Sequence, residues 1–479
     1  MSRKILLVNP NLMKPPVAPV GLDYLHSNLQ KAGLEVRLLD LGFTNEVDRE
    51  IEHAVDDDYL FVGISLRNID DSYFASQDFC LERSQEIINK IRSLSRCPIV
   101  LGGVGFSIFP IQVIQYCDAD FGIYGDGELS LCMLARALQE KTDYRSIPGL
   151  FYKDRGSYQL SPARHLDLDK VSLARRDLVD NVRYFREGAM VGFETKRGCD
   201  RACIHCADPV AKGRKVRSRD PRDVAMELRG LLKQGITHFH TGDSEFNVPE
   251  DHAKAVCRAI IDQGLGDKIQ WYAYCVAMPF SEELANLMRQ AGCAGIDFTV
   301  DSGNDGQLQR LGHLHRVGDI ARLARLCHRC GFSFMFDLLL GGPGETRQTV
   351  RETLELMKGL EPTRVGISLG VRLYPDSPLG KMVKKQGVTR QNPCLQGTID
   401  DNSTMLRPLF YLSPELGDDI GAYIGELIKG DSRFFFVSKE QTTQDYNYND
   451  NSQLMEAIKN GYRGAFWDIL RRLSENPLP

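Results

Sequence analysis

The 479-residue chain has no surplus of basic charge: 59 Lys and Arg stand against 64 Asp and Glu, a formal net charge of −5. A protein whose main partner is nucleic acid usually carries a basic excess or stripe, so that class is set aside. No apolar h-region follows Met1-Ser2-Arg3-Lys4, so no secretory leader is expected and a cytoplasmic protein is. The longest uncharged stretch, 98–117, is interrupted by Pro98, Gly102, Gly103, Gly105 and Pro110. It reads as strand, turn and helix, and no transmembrane segment is expected. No G-x-G-x-x-G follows the first strand and no G-x-x-x-x-G-K-[ST] occurs, which disfavours a dinucleotide and excludes a P-loop. At 42% hydrophobic and 26% charged residues, the composition is that of an ordinary globular protein rather than a disordered or fibrous one.

Thirteen cysteines are present, too scattered for a disulfide framework, and read as reduced thiols or metal ligands. Cys80, Cys117, Cys132, Cys257, Cys275 and Cys293 sit singly among apolar neighbours, as small core residues do. Cys327 and Cys330 share a helix end before Gly331 and read as structural. Cys199, Cys203 and Cys206 stand apart as C-x3-C-x2-C directly after the strand-like Val191–Thr195. Three clustered thiolates suit three irons of a 4Fe-4S cluster and leave the fourth iron open. A structural zinc wants a fourth protein ligand, and His205, lodged between Ile204 and Cys206, is poorly placed to share that metal.

Residues 4–139 alternate apolar strand and amphipathic helix five times, which predicts a doubly wound parallel sheet. Ligands in such sheets bind beyond the strands' carboxyl ends. The loops there, 10–20, 67–74, 102–107 and 125–128, are rich in Gly, Pro, Asn and Asp. After the cysteine loop, strand and helix alternate again. Strands end in TGDSEFN (Thr241–Asn247), DSGND (Asp301–Asp305), GGPGET (Gly341–Thr346) and GVRLYP (Gly370–Pro375). That pattern predicts a partial barrel of about six units, with polar motifs at the strand ends where barrel active sites lie.

These motifs carry a resemblance. VNPN (Val8–Asn11), PVGLDYL (Pro19–Leu25), GISLRNIDD (Gly63–Asp71), LGGVGFS (Leu101–Ser107) and IYGDGE (Ile123–Glu128) resemble the N-terminal domain of cobalamin-dependent radical SAM enzymes. The cysteine loop and the four strand-end motifs resemble the radical SAM superfamily. The resemblance covers about residues 4–385. It implies a flavodoxin-like, Rossmann-type cobalamin-binding domain, then a partial (β/α)6 TIM-type barrel and a C-terminal helical cap. The boundaries it suggests are 1–140, a connector 141–190, the barrel 191–387, and a mainly helical 388–479.

The implied cofactors are a 4Fe-4S cluster on Cys199, Cys203 and Cys206, S-adenosylmethionine, and cobalamin as methylcobalamin. The implied S-adenosylmethionine contacts are His205, Asp243, Ser244, Glu245, Asn247, Asp301, Ser302, Gly341, Gly342, Arg372 and Tyr374. The implied cobalamin contacts are Asn11, Val20, Gly21, Ser65, Leu66, Arg67, Asn68, Gly102, Gly103, Gly105, Phe106, Ser107, Tyr124, Gly125, Gly127 and Glu128. The D-x-H-x-x-G motif that gives cobalt a lower histidine elsewhere is absent, since Asp23 and His26 have the wrong spacing.

The implied activity is a methyltransferase. Reductive cleavage of S-adenosylmethionine gives a 5′-deoxyadenosyl radical, which takes a substrate hydrogen, and methylcobalamin delivers methyl to carbon. The alternative is a non-methylating reaction of the same cofactors, such as cyclisation, ring contraction or oxidative rearrangement. The expected partners are a small-molecule or lipid-precursor substrate and an electron donor such as flavodoxin or ferredoxin. No catalytic acid or base is assigned. Phe434–Phe436, Tyr446 and Tyr448 are candidate substrate contacts, with core packing as the plainer role.

Overall fold

The computed structural model describes residues 4–163, 165–168, 171, 175–436 and 448–475; Tyr446 lies outside them. The first sheet has seven strands: β1 (Lys4–Asn9), β2 (Glu35–Asp40), β3 (Tyr59–Ser65), β4 (Ile99–Gly102), β5 (Phe121–Ile123), β6 (Leu150–Asp154) and β7 (Ser157–Leu160). Their order is β2-β1-β3-β4-β5-β6-β7, parallel through β5 and antiparallel beyond. The first five follow the flavodoxin-like order. β1 (KILLVN) and β3 (YLFVGIS) are apolar on both faces because helices cover both faces.

The hairpin of β6 and β7 was hidden in the sequence. Residues 141–190 read as a connector with one strand-like piece, FYKD. Arg155 (φ 48°) and Gly156 (φ 84°) instead make a two-residue turn that joins two short strands to β5. Most residues of this edge hairpin are solvated, so alternation is weak.

The second sheet begins with β8 (Val191–Phe193). A short antiparallel ribbon follows, β9 (Lys196–Arg197) and β10 (Arg217–Ser218). Next come β11 (His238–Thr241), β12 (Gln270–Cys275), β13 (Cys293–Asp301), β14 (Ser333–Leu340) and β15 (Arg364–Leu369). β16 (Val371–Arg372), β17 (Leu395–Gly397) and β18 (Leu409–Tyr411) form a small antiparallel sheet. β19 (Phe434–Phe435) pairs parallel with β15, so the barrel sheet is β19-β15-β14-β13-β12-β11-β8, one strand more than expected. Strands of two or three residues carry no readable period.

Helices Pro221–Lys233, Glu250–Asp262, Glu282–Gln290, Val317–Cys330 and Arg347–Leu360 line the outside. The C-terminal helices cap the partial barrel, but at the end away from its mouth. Trp467 of Phe466–Glu475 packs on Tyr272 and Met335 near the strand starts, and the Tyr272 hydroxyl donates to Asp468 Oδ2 at 3.1 Å. The last stretch forms two helices, Ser452–Lys459 and Phe466–Glu475, with Gly461 (φ 89°) and Gly464 (φ 123°) between. Among the described residues no helix is long and apolar enough to cross a membrane.

The two sheets are locked by buried charge. Arg176, 2% exposed, donates to Asp23 Oδ2 at 2.9 Å on the first domain and to Glu227 Oε1 at 2.6 Å on the second. Arg219 donates to Glu227 Oε2 at 2.7 Å, and the Tyr24 hydroxyl to Oε1 at 3.0 Å. A buried pair stripped of one member leaves an uncompensated charge. Arg176→Ala is expected to lose about 3–5 kcal/mol of stability, seen as a lower midpoint in urea melts. An unchanged midpoint contradicts the lock.

Candidate functional site

The carboxyl ends of both sheets face each other, and arginines span the seam. Arg197, on β9, donates to Asp126 Oδ1 at 3.1 Å and to Glu194 Oε2 at 2.8 Å, and its NH2 lies 2.6 Å from Glu128 Oε1. Arg217 pairs with Asp126 as well. On the other side Arg372 donates to Asp70 Oδ2 at 2.7 and 3.0 Å and to the carbonyls of Leu373, Met405, Leu406 and Leu409. The Tyr374 hydroxyl meets the Ser72 hydroxyl at 2.8 Å. Arg372 and Tyr374 thus sit at the domain seam, where all Arg372 donors point at protein oxygens.

The cysteine loop starts two residues after Arg197. Gly198 (φ +93°) is required there, since a Cβ would lie 2.2 Å from the Lys215 carbonyl. Backbone bonds pin the loop: Cys199 N–H to Gly213 O at 3.0 Å and Ile204 N–H to Leu311 O at 3.0 Å. Gly312 lets the 202–203 backbone approach, as its Cβ would be 2.3 Å from Ala202 O. Burial pushes the Cys206 thiol up to about 12 and the Cys203 thiol higher. The charged groups beside them are carboxylates, Asp301 and Glu245 at Cys203 and Asp208 and Glu245 at Cys206. Ionised thiols here need a bound cation to balance them, which fits a metal-binding loop. Among the described residues no three such side chains converge on a single-ion site, yet Cys199 and Cys206 both bear on the ionisation of Cys203, and Cys199 on that of Cys206.

Around this loop the other expected residues divide. Asp301, in the left-handed region at φ 60°, lies 2.6 Å from His313 Nε2 and 3.7 Å from His205 Nε2, and His313 Nδ1 lies 3.9 Å from Cys203 Sγ. Glu245 accepts from Thr299 Oγ1 at 2.9 Å, its Oε2 has no partner among the described residues, and burial lifts it to about 8. The Ser244 hydroxyl donates to Asp208, which also holds Lys212 at 3.0 Å. Asp243 is folded back under the loop. It accepts from the Thr195 backbone at 2.8 Å and the Thr195 hydroxyl at 2.5 Å, and pairs with Lys196 Nζ at 3.1 Å. Asn247 braces β12 through the Val276 backbone and the Pro279 carbonyl. Ser302 caps the 304 amide and meets the Thr353 hydroxyl. Gly341 and Gly342 N–H groups donate to buried Glu345, which burial lifts to about 7.

On the first domain two cavities lie at the strand ends. One, of about 180 Å³, is a largely apolar slot lined by Gly21, Ser65, Gly102, Gly103, Ser107, Gly125, Gly127 and Glu128, and closed by Glu194, Arg197 and Lys212 of the second domain. The other, of about 660 Å³, lies over Asn11, Ser65, Leu66, Arg67 and Asn68 and reaches Tyr448. A flat aromatic base fits a glycine-lined slot, and a macrocycle fits a wide space beside it, so these cavities suit a corrinoid. Gly103 and Gly105 have a further duty. A Cβ on Gly103 would lie 2.4 Å from Leu66 O, and one on Gly105 2.9 Å from Asn68. Phe106 is wholly buried against Phe151, Val20 packs on Gly192, and the Tyr124 hydroxyl donates to Val210 O.

Sequence reading missed Arg197, Arg217 and Asp126 at the seam, gave Arg372 a different role, and missed an inward-facing layer of the barrel. Tyr274, Asp297 and Asp337 point into it from β12, β13 and β14. The signal was present as a lone Asp in the apolar runs GIDFTV and FMFDLLL.

The B12 binding domain profile matches residues 13–135 and the Radical SAM superfamily profile residues 193–357. The chain is 30% identical to Tryptophan 2-C-methyltransferase of Streptomyces laurentii, over 98% of this chain and 96% of that protein. Its fold matches the radical S-adenosylmethionine methyltransferase TsrM from Kitasatospora setae, solved with cobalamin and a 4Fe-4S cluster, at a TM-score of 0.91 and 31% identity, covering 99% of this chain and 98% of that one. The form of that enzyme with tryptophan substrate and the SAM analogue aza-SAM matches at 0.93 and 32% identity, with coverage of 99% and 98%.

Gly102 lines the slot with a Cβ position 4.0 Å from its nearest neighbour, Ile123 O, so a side chain there enters the slot without straining the backbone. Gly102→Leu is expected to lose cobalt uptake on reconstitution with hydroxocobalamin and to keep its iron. Normal cobalt content in that variant removes the slot assignment. Cys203→Ala is expected to lose the iron–sulfur absorbance, and retained absorbance removes the cluster assignment.

Proposed function

Because the chain belongs to the cobalamin-dependent radical SAM enzymes, we propose that it methylates a ring carbon of an indole-bearing amino acid of the tryptophan kind. The chain is an enzyme that uses cobalamin, a 4Fe-4S cluster and S-adenosylmethionine to transfer a methyl group to carbon. The observation that carries the finer reading is end-to-end likeness, at 32% identity, to an enzyme solved with tryptophan and aza-SAM bound. That likeness favours methyl transfer over a cyclisation or rearrangement, and a water-soluble amino acid over a lipid precursor.

When bound, S-adenosylmethionine supplies the methyl group, cobalamin carries it, and the cluster supplies electrons or an open iron. The chain's own residues do the placing. In this reading Cys199, Cys203 and Cys206 hold the cluster, with His205, Asp301 and His313 behind it. Glu245 and Ser244 would border the space for S-adenosylmethionine, with the Gly341-Gly342 turn and Ser302 braced behind it. Asp243 and Asn247 brace that space from below, and Arg372 and Tyr374 fix the seam beside it. The glycine slot takes the corrinoid tail, while Asn11 and the 65–68 loop meet the macrocycle. Arg67 lines the wide cavity beside Leu66 and Asn68 and would meet the macrocycle there. Burial holds this guanidinium's proton affinity below its ordinary value, and Tyr274 raises it. The seam arginines hold the two sites face to face and keep bulk water out, which preserves reactive centres.

Thirteen free cysteines and an open-iron loop suit a reducing compartment, so the cytoplasm belongs to this reading, as does a small electron-transfer protein as donor. Incubation of the reconstituted enzyme with tryptophan and S-adenosylmethionine bearing a deuterated methyl group should give labelled C-methyltryptophan by mass spectrometry. A loaded enzyme that leaves tryptophan unlabelled overturns the substrate reading.

A further inference from the structure

We propose that Asp337, backed by Asp297, seats the ammonium group of the substrate inside the barrel; this rests on the reading of the chain as a methyltransferase of an amino acid. The strands turn alternate residues inward. β12 contributes Tyr272 and Tyr274, β13 contributes Gly295, Asp297 and Thr299, and β14 contributes Met335 and Asp337. The layer near the strand starts is closed by Trp467 on Tyr272 and Met335. The next layer holds the two carboxyls. Although it lies in the barrel's interior, Tyr274 in that layer is 40% exposed, so this layer borders open space. Asp337 is half-buried at its wall, over Gly366, where a Cβ would fall 2.2 Å from Asp337 Oδ1.

Two acids in an apolar wall are costly unless something balances them. Asp297 is 4% exposed and its Oδ1 has no hydrogen-bond partner among the described residues. The titratable groups that bear on the pair are the acids Glu245 and Asp301, with the Tyr274 and Tyr448 phenols beside it. The carboxyls share a hydrogen bond. Burial and the neighbouring Asp337 push Asp297 well up, so Asp297 keeps the proton and donates it. The bond from Asp297 lowers Asp337, so Asp337 is the member of the pair that gives up its proton first and carries the charge. The wall therefore presents one negative charge, the complement of one ammonium ion. A pair that merely tied two strands together would need no open face.

The test measures binding to the cobalt- and iron-loaded enzyme by calorimetry, with tryptophan, tryptamine and indole-3-propionate as probes. Tryptamine keeps the amine and lacks the carboxylate; indole-3-propionate is the reverse. The expected result is tryptamine within about tenfold of tryptophan and indole-3-propionate weaker by roughly 10–100-fold. Asp337→Asn should abolish that discrimination. Asp297→Asn, which keeps a donor for Asp337, should retain it and serves as the folding control. Equal binding of indole-3-propionate, or discrimination surviving in Asp337→Asn, overturns the proposal. Amine-dependent binding of tryptophan without methylated product overturns the substrate reading and leaves the ammonium seat standing. Failure of all three probes to bind overturns both.

Discussion

A few buried arginines hold the two halves of this molecule mouth to mouth, and everything proposed for the site depends on that grip. Arg176 bridges Asp23 and Glu227, Arg197 gathers Asp126, Glu128 and Glu194, and Arg372 takes Asp70. Each guanidinium is almost fully dehydrated, so each needs its full set of acceptors. A planar fork with several donors meets that need, and it fixes angle as well as distance. Sheets joined only by apolar contact would be free to slide, and a slide would change the gap in which a methyl group must travel.

Arg197 couples the two cofactor regions directly. It stands two residues before Cys199, and it also lines the glycine slot together with Glu194 and Lys212. The slot is thus completed by the second domain, and the cysteine loop is anchored to the first. Glycine provides room on both sides of the seam, at Gly102 for a ligand and at Gly198 for the Lys215 carbonyl. Catalysis by three separate cofactors needs this kind of fixed approach, because a small displacement is costly when reacting groups must meet.

The sequence made the large design readable. Long apolar strands and amphipathic helices have strong periods, and C-x3-C-x2-C is a spacing with few other uses. What stayed hidden was short or reversed in role. β6, β7, β17, β18 and β19 have five residues or fewer, and β19 completes a barrel sheet from beyond the expected barrel boundary. Asp243 follows a strand end as a site residue should, yet its carboxylate turns back to Thr195 and Lys196. Phe106 sits in a loop motif and packs into the core. Arg176 lies in a stretch without period, so nothing marked it as the joint between domains. Position along the chain tells which strand end a residue occupies, but only the fold tells whether its side chain faces the cavity.

The account's central claim is that one chain holds a corrinoid and an iron–sulfur cluster at a shared seam. The most direct measurement is the cobalt and iron retained per chain after anaerobic reconstitution with iron, sulfide and hydroxocobalamin, followed by desalting. The account predicts about one cobalt and about four irons. Iron at that level with no retained cobalt would contradict it, because the glycine slot and the seam that completes it would then be serving some other ligand.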